Sequence, residues 1–339
     1  MSRDIGTDDA RVRVRPGKGS RPRTKTRPDR SAAVRARVTA VDRGRYALMT
    51  DDGVQLVAMK ARELGRGSIV VGDRVAVVGD LTGRKDSLAR VVAVDDRSTT
   101  LRRSAEDGDA VGVERAVVAN ATQLVIVTAL ADPPPRPGLV DRFLVAAYDA
   151  GMRPLLLLTK ADLASPDEFL RQYRALDLGV VVTRRGDAAI DGLDDLRAAL
   201  AGEVSVLVGH SGVGKSTLVN QLVPGAARST GDVNDVTGRG RHTSSSAVAF
   251  PLPGGGLVID TPGIRSFGLA HVGPGDLLRG FTDLAAAAAA CPRDCSHAAA
   301  APDCALDQWA GGSPTALAPE DLEYRRARLG SYRRLLAAR

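Results

Sequence analysis

Val204-Ser205-Val206-Leu207-Val208-Gly209-His210-Ser211-Gly212-Val213-Gly214-Lys215-Ser216-Thr217 decides how the rest of this 339-residue chain is read. A short apolar run with the character of a buried strand leads straight into G-x-x-x-x-G-K-[ST], and an amphipathic stretch, Lys215–Leu222, follows it. Glycines are needed here because the main chain must wrap phosphate oxygens with its N–H groups pointing inward. Lys215 is placed to neutralise β- and γ-phosphates, Ser216 to offer magnesium a hydroxyl, and the helix start to present its positive end. Gly209, His210, Ser211, Gly212, Val213, Gly214, Lys215, Ser216 and Thr217 are therefore candidate nucleotide-binding residues, His210 as an unspecified position of the loop.

Working outward, Thr159-Lys160-Ala161-Asp162 ends another buried strand, Pro154–Leu158. A carboxylate at Asp162 can accept two hydrogen bonds from the N1–H and 2-amino group of guanine, donors that adenine lacks. The Lys160 stem can lie along the base, and strand ends are where open α/β sheets bind ligands. The expected nucleotide is GTP rather than ATP. Asp260-Thr261-Pro262-Gly263 follows a third apolar strand, where Asp260 can reach magnesium through water and the Gly263 N–H can meet a γ-phosphate.

Around these motifs, segments with strand character (Gln123–Ala129, Pro154–Leu158, Gly179–Thr183, Val204–Val208, Gly256–Ile259) alternate with segments of helical period (Leu139–Ala150, Asp167–Leu176, Leu193–Leu200, Lys215–Leu222). Alternation of this kind predicts a mostly parallel sheet with helices on both faces. In most GTPases the phosphate loop comes before the guanine motif. Here 159–162 precedes 209–217, which precedes 260–263, so the order is circularly permuted, a rearrangement tolerated where domain ends lie close together. The element that senses the γ-phosphate then leads directly into the carboxy-terminal module.

The rest of the chain divides by composition. Residues 1–30 hold ten Lys/Arg against four Asp and so carry six of the seven net positive charges. Rich in Pro and Gly and without apolar periodicity, residues 1–33 are expected to form a disordered basic arm. Five short β-rich segments follow, Val34–Val41, Arg45–Thr50, Val54–Met59, Asp73–Val78 and Leu88–Val94, with Asp51-Asp52-Gly53 as a hairpin signal. They predict a five-stranded OB-type β-barrel over 34–97, either a nucleic-acid platform or a structural module, since Tyr46 is its one aromatic. A second basic run, Arg325, Arg326, Arg328, Arg333, Arg334 and Arg339, lies near the other end. Two such runs point to a polyanion, with nucleic acid ahead of membrane because the amino-terminal tail has no amphipathic apolar face. No apolar stretch approaches the roughly 20 residues that cross a bilayer, and no export signal opens the chain, so a cytoplasmic location is expected.

All three cysteines fall within fourteen residues, in Cys291-x3-Cys295-x-His297-x6-Cys304. Three thiolates and an imidazole complete a tetrahedral structural zinc site with no open position, and an odd cysteine count disfavours disulfides. The expected architecture is thus multidomain: an arm (1–33), an OB-fold barrel (34–97), a circularly permuted α/β P-loop GTPase domain (98–272) and a small helical zinc-binding domain (273–339).

From Val34 onward the chain closely resembles the RsgA (YjeQ) family of bacterial GTPases, which act in maturation of the small ribosomal subunit. Gly240-Arg241-His242-Thr243-Ser244-Ser245 matches the family's switch segment G-[RKQ]-H-T-T-T with Ser at its last two positions. The family's cysteine spacing, C-x4-C-x-H-x5-C, differs here by one residue in two gaps. Position 264, where many GTPases place a water-orienting Gln, is Ile264, and the resemblance implies that His242 serves as the catalytic residue instead. It further implies Mg²⁺ with GTP, held by Ser216 and by Thr243 or its neighbour Ser244, one structural Zn²⁺, and hydrolysis stimulated by the subunit. The implied partners are the small (30S) ribosomal subunit with its rRNA and GTP/GDP, with neither DNA nor membrane, and the chain acting as a monomer. Two other readings stay open at this point: a GTPase serving another RNA or protein, and an RNA-binding factor that nucleotide merely locks.

Overall fold

The computed structural model describes residues 33–64, 69–84, 87–103, 115–187, 189–224, 247–261, 267, 269, 271–312 and 318–339. The expected arm therefore lies outside the described residues except for Ala33, as do the switch segment 240–245, with His242 and Thr243, and residues Gly263 and Ile264.

From Val34 the apolar residues alternate, and each strand turns one set inward. β1 (Val34–Asp42) buries Ala36 and Val38, β2 (Arg45–Thr50) Tyr46 and Leu48, β3 (Gln55–Lys60) Leu56 and Ala58, β4 (Arg74–Gly79) Val75 and Val77, and β5 (Ala89–Val94) Ala89 and Val91. The pairing order β1-β2-β3-β5-β4 returns from β4 to β1 and closes a five-stranded barrel. Gly53, at φ +86°, makes the β2–β3 turn, donating to the Thr50 carbonyl at 3.0 Å. An antiparallel pair, β6 (Thr100–Arg103) and β7 (Arg115–Ala119), comes next, and its alternation is too short to signal it in the sequence.

The second unit is built on β8 (Gln123–Ala129), buried at every residue. α1 (Pro137–Asp149) starts on Pro137, whose missing N–H costs nothing in a first turn. β9 (Arg153–Thr159), α2 (Asp167–Arg171), β10 (Gly179–Val182), the small hairpin β11 (Arg184–Arg185) and β12 (Ile190–Asp191), α3 (Leu193–Leu200), β13 (Val204–Val208), α4 (Lys215–Leu222), β14 (Val248–Pro251) and β15 (Leu257–Asp260) follow. β10, β9, β8, β13 and β15 are parallel neighbours in that order, and β14 follows antiparallel to β15. Alternate residues of β8 serve opposite faces. Leu124 and Ile126 belong to the same buried cluster as Phe143 and Leu144 of α1, while Val125 and Val127 belong to another with Leu196 of α3 and Leu218 of α4. Helices thus cover both faces, as expected for a doubly wound sheet.

One expected helix is shorter than its periodicity implied. Asp167–Leu176 is helical only to Arg171, and residues 172–176 continue as tight turns, with Tyr173 N–H on the Leu170 carbonyl at 2.9 Å. Tyr173, Ala175 and Leu176 are all buried, a spacing that a single helical face cannot satisfy.

Barrel and parallel sheet are not separate bodies. A β-bulge between Val38 and Ala40 brings Ala40 opposite Val248 of β14, so eleven strands form one continuous sheet. Around residue 97 the chain is pinned as well. Fully buried Asp73 accepts from Arg97 Nε at 2.7 Å, Arg97 Nη2 at 2.8 Å and the Val70 N–H at 2.8 Å. Such a fork matches carboxylate geometry on both edges.

The carboxy-terminal module comprises α5 (Pro274–Leu278), α6 (Thr282–Ala288), α7 (Ala305–Gly311) and the long α8 (Pro319–Ala338). Most arginines of the basic run 325–339 are engaged within the molecule. Arg328 is buried, bridging Asp283 at 3.1 Å and the Ala175 carbonyl at 2.8 Å beneath the Phe281 ring. Arg333 forks Asp307, Arg334 holds buried Asp141 at 3.1 Å, Arg325 covers Trp309 and Arg339 donates to the Val272 carbonyl. These side chains fasten α8 to the molecule, and charge counted along the sequence could not reveal that. Among the described residues, no helix is long and apolar enough to cross a membrane.

Candidate nucleotide site and metal centre

The phosphate-loop motif lies where β13 meets α4. Gly209, at φ +152°, passes so close to β8 that an added Cβ would stand 2.2 Å from the Val127 carbonyl oxygen. Gly212 and Gly214 take φ +82° and +98°, conformations that strain other residues. These three positions explain the glycines by close approach and handedness, independently of any ligand. Lys215 folds back over the loop, its Nζ 2.5 Å from the Gly209 carbonyl and 3.0 Å from that of His210. Burial lowers its affinity for a proton, and Asp260 across the loop opposes that effect.

Asp260 ends β15, next to β13 in the sheet. Burial pushes its carboxyl above the usual range, with Lys215 pulling the other way. Its Oδ1 is buried with no hydrogen-bond partner among the described residues. An orphaned carboxylate oxygen suits a hard cation with oxygen ligands, so the site fits Mg²⁺. Thr261, the next residue, is tied to the Leu207 carbonyl at 2.7 Å, which holds β15 in register with the loop.

The second motif reaches the same edge of the sheet from β9. The Thr159 hydroxyl donates to the Val213 carbonyl at 2.7 Å, joining the two motifs directly. Lys160 has φ +60° and its ammonium meets the Asp132 carbonyl. Asp162 Oδ1 accepts the Arg185 N–H at 2.9 Å, which holds its carboxyl below the ordinary range. Ala161 N–H donates to the Thr183 carbonyl at 3.2 Å. Asp132 and Arg185 are supporting residues that no motif signalled. The structure thus brings Thr159–Asp162, Gly209–Thr217 and Asp260 to one end of the sheet.

The four candidate metal ligands also converge. One ligand atom each from Cys291, Cys295, His297 and Cys304 lies within 4.8 Å of the others. Cys291 Sγ is 3.9 Å from Cys304 Sγ, and His297 Nδ1 is 3.5 and 3.7 Å from those sulfurs. Edges of about 3.5–3.8 Å are what a tetrahedron with Zn–S about 2.3 Å and Zn–N about 2.1 Å requires. Asp294 and Asp303, each just before a cysteine ligand, take φ +58° and +52°, and His297 takes +54°. These left-handed turns fold both gaps inward, so the altered spacing still assembles the set. Burial lowers the His297 pKa, with Arg333 adding to the effect, and favours the neutral imidazole that binds metal. Burial raises the Cys304 thiol, a penalty that a bound cation reverses. Arg333 also donates to the His297 carbonyl at 3.1 Å, buttressing the cluster from α8. The Cys3His set could hold a zinc ion.

A doubly wound sheet carrying its nucleotide motifs in rotated order, with a barrel before it and a Cys3His module behind, defines a circularly permuted P-loop GTPase. The family model described as RsgA GTPase matches residues 94–270, more than half of the chain. This chain belongs to the RsgA GTPase family. A Pseudomonas aeruginosa protein named small ribosomal subunit biogenesis GTPase RsgA is 44% identical over 236 residues, 67% of this chain and 65% of that protein. The match thus spans a little under two thirds of that relative's length. Its namesake from Pseudomonas putida is 40% identical over 278 residues, 80% of this chain and 75% of the relative. Among solved structures, YjeQ from Thermotoga maritima superposes with a TM-score of 0.60 at 23% identity, over 88% of this chain and 98% of that one. YloQ, described as a circularly permuted GTPase, gives 0.60 at 20% identity over 90% and 96%. At those identities the two structures speak to the fold.

Proposed function

We propose that the chain hydrolyses GTP to GDP and phosphate and acts in late maturation of the small ribosomal subunit, binding its rRNA and stimulated by it. The observation that carries the nucleotide reading is the Thr159–Val213 bond, which sets the Asp162 segment beside the phosphate loop. Asp162 reads the guanine edge, Lys160 and Ala161 flank the base, and Thr159 braces the loop. Gly209–Thr217 cradles the phosphates through main-chain N–H groups, and Lys215 transfers its ammonium from loop carbonyls to phosphate oxygens. Ser216 and Asp260 would hold Mg²⁺, which supplies charge neutralisation across the phosphates when bound. Gly263 on the γ-phosphate, Thr243 on magnesium and His242 as the catalytic residue belong to the same proposal and lie outside the described residues. Cys291, Cys295, His297 and Cys304 hold one structural zinc. The ribosomal role is supported by the names of relatives that align with most of the chain. In this reading the protein works in the cytoplasm as a monomer and has no DNA target.

The test is hydrolysis of GTP and ATP by the purified chain with and without purified small subunits. Strong, GTP-selective stimulation is expected. Equal use of ATP would defeat the guanine reading, and stimulation by a different RNA or protein alone would defeat the ribosomal one.

A further inference from the structure

Away from the nucleotide loops and the zinc cluster, a groove of about 400 Å³ runs between the turns after α2 and the middle of α8. Its walls carry Arg171, Arg174 and Arg334, and its floor is formed by Ala327, Gly330 and Ser331 of α8. We propose that this groove seats a backbone phosphate of a bound RNA.

Three observations point the same way. The first is charge: three arginines line one concave surface, Arg174 and Arg334 each already meeting a carboxylate. Arg334 is fixed there by Asp141 at 3.1 Å and by stacking 5.2 Å over Tyr173, so its position is set before any ligand arrives. Arg171 is exposed and has no ion-pair partner among the described residues. The second is Gly330. Glycine inside a helix weakens it, and packing does not require it here, since an added Cβ would meet nothing within 4 Å. Its effect is to keep the floor low, so that a bulky anion can approach the helix. The third is the exposed pair Arg174–Glu323, at 2.8 Å from the α2 side to α8. A carboxylate oxygen already accepts from one guanidinium nitrogen, as a phosphate oxygen could. Exposed pairs of this kind hold weakly and yield readily to a better anion.

That the occupant is anionic rests on the groove alone; that it is RNA rests on the proposed role at the small subunit. The experiment measures binding of the full zinc-loaded chain, with a non-hydrolysable GTP analogue, to purified small subunits and to a short RNA duplex over a salt series. Arg171→Gln with Arg174→Gln should weaken subunit binding about tenfold and flatten the salt slope by about 0.7–0.9 for each phosphate no longer neutralised. Gly330→Met, which fills the groove while improving helix propensity, should weaken it as well. Glu323→Gln should tighten it. Subunit-free GTP hydrolysis should stay unchanged in all of these variants. Wild-type affinity and slope in both the double variant and Gly330→Met would overturn the proposal, as would capture of a phosphoserine peptide in place of RNA. If the wild type does not bind subunits, the ribosomal reading fails by itself. The duplex then decides the groove: weaker binding in both variants upholds it, and no difference overturns it.

Discussion

Thr159 and Val213 lie fifty-four positions apart, yet the hydroxyl of one is 2.7 Å from the carbonyl of the other. Both residues are buried, so Thr159→Val would leave that carbonyl without a donor, at a cost of about 1–3 kcal/mol. GTP and GDP affinity should fall together in this variant, because the base segment and the phosphate loop lose their common alignment. Titration calorimetry with both nucleotides checks this, and unaltered affinities would show that the two loops are positioned independently.

Asp162→Asn replaces the carboxylate that would accept two guanine donors. Each charge-assisted bond is worth about 1.5–3 kcal/mol, so GTP affinity should drop by about 10²-fold or more without a gain for ATP. Fluorescent-nucleotide titration distinguishes this from unfolding, which would also remove the ordinary far-ultraviolet dichroism.

His242→Ala should depress subunit-stimulated kcat while GTP affinity barely changes. Activators in related systems raise rates by roughly 10³–10⁵, so loss of most of that gain would be evident in a single-turnover assay. Full stimulated activity in the variant would remove His242 from the proposal.

Metal analysis should find one zinc per chain, and stripping it should unfold the module that carries α6 and α7. Structural zinc contributes on the order of 10 kcal/mol in small modules, so chelation or Cys304→Ser should be severe. Trp309, the chain's one tryptophan, sits in α7 against the core and reports the change by fluorescence. A native spectrum after complete zinc removal would show that packing alone sustains the module.

Tyr148 offers a test in the alkaline range. Burial pushes its hydroxyl up to about 12, and that oxygen has no hydrogen-bond partner among the described residues. The raised value means that the folded chain keeps a proton that the unfolded chain releases near pH 10. The associated stability is fully present below pH 10 and is lost as pH rises towards 12. Tyr148→Phe should remove that loss and, by deleting an unsatisfied buried group, raise stability by about 1 kcal/mol at neutral pH. Denaturant melts at pH 7 and pH 11 check both parts.

Much of this site was legible from sequence because its chemistry is local. Gly209, Gly212 and Gly214 announce handed turns, and Asp162 and Lys215 announce charge at strand ends. The clustered Cys291–Cys304 ligands likewise lie close in the chain. What stayed hidden depends on elements distant in sequence. The anchoring of Asp73 by Arg97, the bracing of Asp162 by the Arg185 N–H and the capture of α8 arginines by Asp141, Asp283 and Asp307 arise only when separate segments meet. The shortened α2 has the same origin, since burial of Tyr173 and Ala175 outweighs helical period. A run of arginines reads identically whether it faces solvent or carboxylates.

The ladder pairing between Ala40 and Val248 ties the barrel wall to the parallel sheet through the main chain. Val248 is only six residues beyond His242, the proposed catalytic residue, so whatever grips the amino-terminal strands also holds the strand that follows it in sequence. Strain applied at one end need not travel through side chains at all, because main-chain hydrogen bonds already run from barrel wall to sheet edge.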